Sequence, residues 1–237
     1  MVVWLASYPR SGNTFLRIVL HRLYGVPTYS VYDDDDPVAQ RVGPDLVGYH
    51  PKPLDRAAMR ESAEVFFTKT HKRRKGDDYR AIYLVRDGRD AVVSKAHLRA
   101  SEQHLAAGED YQKRFAEFLR EEITRPYIEG QPSSGTWGGN VLSWLRTADD
   151  SLALLKYEDL IVDPRDSVVR IVSSLLPELM PKADADIPSF ADLHRVDPAF
   201  FRCGGAGAHR EEMLPALHEL FWAQPENATA MRQLGYG

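Results

Sequence analysis

The sequence predicts an α/β fold: a single domain over residues 1–237, with a central parallel β-sheet flanked by helices. Two observations carry that reading. Short apolar runs alternate with helical patterns along the 237 residues, as expected when parallel strands are joined by helical crossovers. Four of the runs end in clusters of polar residues, and in an open parallel sheet such ends meet at one edge, where ligands bind. With 43% hydrophobic and 27% charged residues, the chain is long enough for one sizeable core and short for two.

Strands are expected at 2–7, 65–68, 81–85 and 152–156. Their polar ends are Tyr8-Pro9-Arg10-Ser11, Lys69-Thr70-His71, Arg86-Asp87-Gly88-Arg89-Asp90 and Tyr157-Glu158-Asp159. Helical periodicity covers 13–24, 89–98, 111–123, 139–148, 164–175 and 211–222. Two segments, 29–56 and 100–135, read as loose and rich in turn residues, and long irregular segments beside an α/β core commonly form lids or acceptor pockets. The acidic run at 33–36 lacks the alternating spacing and glycine of a calcium loop. It reads as a flexible loop at a pocket entrance.

Charge excludes some partners. A net charge of −4 and an isoelectric point near 6.1 argue against a general nucleic-acid or anionic-membrane binder. The basic run from Lys69 to Lys75 is therefore read as chemistry at its first members and a solvated turn at the rest. Cys203 is the single cysteine, which rules out an internal disulfide and an all-cysteine metal site and suits a reducing compartment. No signal-peptide pattern is present, and no apolar run reaches the roughly 18–20 residues of a membrane span. A soluble, cytoplasmic chain is expected.

The first strand runs into Ala6-Ser7-Tyr8-Pro9-Arg10-Ser11-Gly12-Asn13-Thr14, a strand, a glycine turn and a helix start. Helix N-termini hold phosphate because their first N–H groups lack partners and carry partial positive charge. The nucleoside-triphosphatase loop, G-x-x-x-x-G-K-[ST], falls here on Ser7, Gly12, Asn13 and Thr14. Its first glycine and its lysine are both missing, and a cation appears instead three places early, at Arg10. The loop is P-loop-like, with its charge moved.

These residues resemble the sulfotransferases that use 3′-phosphoadenosine 5′-phosphosulfate (PAPS), of the cytosolic type and in a bacterial member. Tyr8-Pro9-Arg10-Ser11-Gly12-Asn13-Thr14-Phe15 is similar to the family's 5′-phosphosulfate loop. Lys69-Thr70-His71 is similar to its K-[ST]-H segment. Tyr83 to Ser94, with Arg86 at a strand end and Ser94 eight residues on, is similar to the 3′-phosphate segment. Trp137, Val141-Leu142-Ser143-Trp144 and Tyr157-Glu158-Asp159-Leu160 follow at family-like spacing. Phe201-Arg202-Cys203-Gly204 with Gly207 resembles the C-terminal R-K-G-x-x-G loop.

The resemblance implies sulfuryl transfer from PAPS to a hydroxyl, or less readily an amine, of a small-molecule, glycan, lipid or peptide acceptor. Adenosine 3′,5′-bisphosphate is the product. It implies His71 as general base, with Lys69 and Arg10 stabilising developing charge. It implies a donor site of Arg10, Ser11, Gly12, Asn13, Thr14, Phe15, Arg86, Ser94, Tyr157, Arg202, Cys203 and Gly204. Two separated anion sites suit this donor, whereas a triphosphate needs one elongated site and magnesium. A sulfuryl group carries less charge than a phosphoryl group, so no metal is expected. No nucleic-acid partner is expected, and the oligomeric state is open.

Several positions depart from the family pattern. Arg10 stands where lysine is usual, Phe15 replaces a tryptophan that stacks on adenine, Cys203 replaces lysine, and Ala208-His209 replaces Asp-Trp. Glu158 and Asp159 are read as orienting loop and helix starts rather than as acids or bases. The competing readings are a nucleotide or small-molecule kinase with a degenerate loop, and a non-catalytic nucleotide-binding module.

Overall fold

The computed structural model describes residues 1–32, 36–50, 56–76, 79–103, 108–129, 134–146 and 150–237. Its first strand, β1 (Val2–Ser7), lies at the centre of a five-stranded sheet with β2 (Thr28–Ser30), β3 (Phe66–Thr70), β4 (Arg80–Val85) and β5 (Leu152–Lys156). The order across the sheet is β2-β3-β1-β4-β5, and every pairing is parallel. Helices α1 (Asn13–Tyr24), α2 (Pro37–Val42), α3 (Pro44–Val47), α4 (Arg56–Glu61), α5 (Gly88–Glu102) and α6 (Glu109–Thr124) precede α7 (Trp137–Leu145) and α8 (Tyr157–Val162). The remainder are α9 (Pro164–Leu175), α10 (Phe190–Val196), α11 (His209–Glu212), α12 (Pro215–Ala223) and α13 (Pro225–Leu234).

Side-chain alternation along the strands sets the layers. Val2, Trp4 and Ala6 of β1 join Ala81, Tyr83 and Val85 of β4 in a core closed by residues of α5, α6, α7, α12 and α13. Val3 and Leu5 join Ile82, Leu84 and Leu155 on the other face, closed by α1, α8 and α9. All six residues of β1 are buried, which is why this strand reads as a continuous apolar run rather than an alternation. A third cluster packs Ile18 of α1 against Val42, Val47, Leu193 and Phe201.

Register brings the strand ends level. Ala6 lies opposite Thr70, Ser7 opposite Leu84, and Val85 opposite Lys156. The polar clusters after β1, β3, β4 and β5 consequently share one edge of the sheet.

β1, α1, β5 and α9 have the expected bounds. The differences have local causes. β3 continues to Thr70, so Lys69 belongs to the strand itself. The expected helix at 211–222 is split because Pro215 lacks the N–H that would continue α11, and α12 starts there instead. α7 begins at Trp137 because the Thr136 hydroxyl accepts from the Gly139 N–H; the far end of that expected helix, at 147–148, lies outside the described residues. α10 starts at a capping box of Ser189 and Asp192. The segment 29–56 is not loose where it is described: it contributes the end of β2, together with α2 and α3. Its residues 33–35 and 51–55 lie outside the described residues.

The run from Lys72 to Lys75 is no simple solvated turn. Arg74 is half-buried, and its Nη2 donates to the Tyr79 carbonyl at 3.2 Å. α7 clamps this connection from the side. Asn140 Nδ2 donates to the His71 carbonyl at 3.0 Å, and Trp144 Nε1 donates to the Lys72 carbonyl at 3.1 Å. Asn140 Oδ1 accepts from the Tyr83 hydroxyl at 2.9 Å, and the residue is fully buried. Replacing Asn140 by Ala would strand two buried polar groups, each costing about 1–3 kcal/mol when unpaired. Denaturant unfolding of Asn140→Ala should show a loss of about 2 kcal/mol or more; a loss below about 0.5 kcal/mol would mean that this clamp does not hold the strand end.

Candidate active site

At the shared strand edge lies a cavity of about 550 Å³. Its wall includes Arg10, Gly12, Asn13, Thr14, Phe15, Lys69, His71, Arg86, Ser94, Tyr157, Arg202, Cys203 and Gly204. Thirteen of the fourteen residues expected in the site, taken from segments far apart in the sequence, therefore face one space. The exception is Ser11, which is fully buried and whose hydroxyl has no protein partner. The segment at 100–135 contributes no described residue to the wall, whereas Asp36 and Val38 from the other loose segment do.

The loop after β1 makes the floor. Gly12 caps α1 with φ +97°, and a Cβ there would meet the Tyr157 ring at 2.6 Å. Glycine alone fits both the backbone and the approach. The amides of Asn13, Thr14 and Phe15 open the helix and have no acceptor one turn back, so they remain available to an anion. Arg10 also adopts positive φ, 68°, a conformation that costs a residue with a Cβ about 1 kcal/mol or more. That turn carries its side chain across the cavity.

Arg10 Nε donates to Ser94 Oγ at 3.2 Å and its Nη2 to the Phe200 carbonyl at 2.7 Å, with the guanidinium 4.3 Å from the Phe200 ring centre. Arg86 Nη1 donates to the Arg10 carbonyl at 3.3 Å and Nη2 to the Gly205 carbonyl at 3.0 Å. Its guanidinium lies over the Tyr157 ring, and its Nε is buried without a partner. Burial and the Arg86 charge push Arg10 down to about 10. Arg10, Arg86 and Ser94 thus form one cationic cluster. Arg10 was expected to stabilise charge together with Lys69; its positive φ and the Phe200 carbonyl hold its guanidinium with Arg86 and Ser94.

Lys69 and His71 form the second cluster. The ring Nδ1 of His71 lies 2.9 Å from the Ser7 carbonyl and 3.2 Å from Ser7 Oγ. A carbonyl only accepts, so Nδ1 carries the proton and Nε2 keeps its lone pair. Asn13 Nδ2 fixes Ser7 in turn, donating to the Leu5 carbonyl and to Ser7 Oγ. The peptide N–H of His71 donates to the Tyr32 hydroxyl at 3.0 Å. Burial, and then the Lys69 charge, push the His71 imidazole down to about 3. At neutral pH it is an uncharged ring with a free acceptor nitrogen.

The loop after α10 closes the cavity. Gly204, at φ +55°, lies so close to the Phe190 ring that a Cβ would overlap it. Arg202 faces the cavity with its guanidinium paired to Glu212, at 2.8 and 3.1 Å. Asp90 holds the loop down, accepting from the Gly207 and His209 N–H groups and from His209 Nδ1. Glu158 accepts from the Asp87 N–H at 3.1 Å and from the Tyr236 hydroxyl at 2.7 Å, an orienting role as expected.

Sequence reasoning missed three partners. Ser7 and Phe200 act partly through backbone carbonyls, which every residue type supplies, so composition gives no signal for them. Asp36 was read within a flexible acidic run, yet it is buried and accepts from Lys69 Nζ at 3.1 Å and from Arg17 Nη1 at 2.6 Å. Its signal was the Asp-Pro pair that starts α2, a helix cap with proline at the first position. Among the described residues no cluster of His, Cys, Asp or Glu suited to a metal ion is present, and no helix is long and apolar enough to cross a membrane.

A parallel sheet with a P-loop-like turn and two cationic clusters at its carboxyl edge defines an α/β fold with an anion-receptive site. Residues 2–175 match the model of the sulfotransferase domain, and the chain belongs to that family. A WSCD family member of Drosophila melanogaster is 29% identical over 161 residues, covering 66% of this chain and 44% of the fly protein. The flavonol 3-sulfotransferase of Flaveria bidentis is 24% identical over 194 residues, 77% of this chain and 59% of that protein. Mouse sulfotransferase 1E1 is 25% identical, over 76% of this chain and 60% of that protein. The chain thus spans about half the length of its relatives. Among solved structures, mouse sulfotransferase SULT7A1 complexed with PAP superposes with a TM-score of 0.59 at 18% identity, covering all of this chain and 89% of that one. Retinol dehydratase in complex with androsterone and PAP follows at 0.53 and 20%, covering 98% and 80%. These likenesses confirm the α/β fold.

Neutral, half-buried His71 has a consequence for acid stability. Above the ordinary histidine value of 6.5 neither the folded nor the unfolded ring is protonated. Between 6.5 and about 3 the unfolded ring takes up a proton that the folded ring refuses, so stability falls as the pH falls. In His71→Asn the unfolding free energy should drop less steeply between pH 6.5 and 4, by up to ~1.4 kcal/mol per pH unit. Parallel profiles for the two proteins would show that His71 titrates normally when folded.

Proposed function

We propose that the chain transfers the sulfuryl group of PAPS to a hydroxyl of an acceptor, releasing adenosine 3′,5′-bisphosphate. The observation that carries this is the pairing, in one cavity, of a lysine with a histidine whose Nδ1–H is committed to Ser7. A second cationic cluster lies elsewhere in the same space. Two anion sites and one poised base are what this donor and this transfer require.

The phosphosulfate rests on the amides of Asn13, Thr14 and Phe15, and the 3′-phosphate meets Arg86, Arg10 and Ser94. Charge-assisted hydrogen bonds from guanidinium groups suit these tetrahedral oxyanions. The unpartnered Arg86 Nε and the approach that Gly12 allows fit a ligand seated against them. Phe15 and Tyr157 offer ring faces for the adenine. Arg202 and Gly204 border the donor from the closing loop.

His71 Nε2 removes the acceptor's hydroxyl proton as its oxygen attacks sulfur, in line with the leaving phosphate oxygen. The new oxygen–sulfur bond forms as the bond from sulfur to the bridging oxygen breaks, and that oxygen keeps the electron pair. Lys69 Nζ stabilises the charge that builds there. Donor binding brings negative charge beside His71 and raises its proton affinity from the low value of the free protein. A kinase reading is disfavoured because the position of the phosphate-binding lysine is Asn13, whose amide is spent on Leu5 and Ser7. A soluble chain acting on a small-molecule, glycan, lipid or peptide acceptor completes the proposal.

Screening hydroxyl acceptors with 35S-labelled PAPS tests the activity, and two variants then test the roles. His71→Ala should lower turnover by about 10²–10⁴-fold with bisphosphate affinity nearly unchanged. Lys69→Ala should lower both, since its ammonium meets charge in the ground state and more in the transition state. Near-native turnover of His71→Ala across pH 6–9 on an accepted acceptor would remove His71 as the base.

A further inference from the structure

Asp36 is the only acidic side chain on the cavity wall among the described residues, and an acid is unwelcome where a polyanion binds. Its surroundings explain its presence. Oδ2 takes hydrogen bonds from Arg17 Nη1 and Lys69 Nζ, at 2.6 and 3.1 Å. Oδ1 caps α2, accepting from the Val38 and Ala39 N–H groups at 3.2 and 3.3 Å. Its own N–H donates to the Tyr49 hydroxyl at 3.2 Å. Arg17 is fixed as well, with Nε on Thr28 Oγ1 at 3.0 Å. The Arg17 and Asp36 side chains are fully buried, and that of Lys69 is 10% exposed.

Charge counting gives the group its meaning. A buried ammonium alone tends to lose its proton, because burial penalises the charged form. An ammonium paired with one carboxylate keeps its proton but presents no net charge to an anion. Here one carboxylate serves two cations, leaving one positive charge, and of the two cations Lys69 is the one that lines the cavity. A lysine stem is flexible; Asp36, held from α2, Tyr49 and Arg17, is not.

We propose that Asp36 is the positioning residue for Lys69, with Arg17 as its counter-charge: the triad holds a protonated Nζ in place beside His71 while keeping the cavity side positive. The proposal rests on the sulfotransferase reading for its catalytic consequence, though not for the placement itself. Asp36, Arg17 and His71 are the titratable groups that act on Lys69, and Tyr32 and Tyr49 face Asp36. Burial pushes the Lys69 ammonium below the usual lysine range, Arg17 adds to this, and Asp36 opposes both. Burial also works to raise the Asp36 carboxyl, but Lys69 and Arg17 outweigh it and hold it down to about 2. The carboxylate is therefore charged throughout the working pH range.

Asp36→Asn keeps the volume and the helix cap and removes the charge. In lysine-13Cε NMR, with Lys69 assigned by its loss in Lys69→Met, the Lys69 midpoint should fall by at least one pH unit in Asp36→Asn. Hydrolysis of PAPS, with water as acceptor, should then acquire an alkaline limb at that midpoint and run at least about fivefold slower than wild type one pH unit above it. The double variant Arg17→Met/Asp36→Asn removes the stranded guanidinium and gives a second chance of a folded protein with the same expected limb. An unchanged Lys69 midpoint would overturn the proposal, as would a lowered midpoint with a wild-type pH profile of hydrolysis. A wild-type chain that hydrolyses and transfers nothing would sink the sulfotransferase reading, and the NMR midpoint would then decide the placement of Lys69 by itself.

Discussion

Arg10, Arg86 and Lys69 face one cavity of about 550 Å³, and their mutual repulsion is the constraint that the surrounding structure answers. The guanidinium groups of Arg10 and Arg86 bond mainly to neutral oxygens, those of Ser94, Phe200, Gly205 and the Arg10 backbone. Such partners satisfy the donors without cancelling the charge. The nearest carboxylate to Arg86, that of Asp90, stands 3.9 Å away and is occupied with the Gly207 and His209 amides. The cavity is left with a positive excess that an anion can use, at a cost visible in the lowered proton affinity of Arg10.

The sheet makes this crowding possible. Parallel pairing brings the ends of β1, β3 and β4 level, so residues separated by roughly sixty and eighty positions in the chain reach one edge. Asn140 and Trp144 of α7 hold the carbonyls beyond β3. Asp36 holds the end of the Lys69 side chain. Each cation is thereby fixed by a different element, and charge that would spread apart on a flexible chain stays together.

Much of this was legible in the sequence. β1, α1, β5 and α9 announced themselves by burial and period, because a fully buried strand and an amphipathic helix leave patterns that span their whole length. The expected site residues meet in one cavity, Ser11 excepted, since strand ends in a parallel sheet must converge. What was not legible depends on geometry that no local pattern encodes. The turn of Arg10 toward Arg86 follows from a positive φ at a non-glycine residue, which its sequence neighbours do not signal. The burial of Asp36 follows from Arg17 and Lys69, both distant in sequence, and a run of four acids suggests solvent instead. The segment at 100–135 was assigned to the pocket by its length and its turn residues, and its described residues stand elsewhere.

The central claim is that the cavity holds two separate anion sites rather than one elongated polyphosphate site. Isothermal titration calorimetry without magnesium measures this directly, comparing adenosine 3′,5′-bisphosphate with AMP and ATP. The bisphosphate should bind at least tenfold more tightly than AMP, about 1.4 kcal/mol, consistent with one added charge-assisted contact, and more tightly than ATP. Binding of ATP that exceeds the bisphosphate and requires magnesium, or equal affinity for AMP and the bisphosphate, would contradict the account.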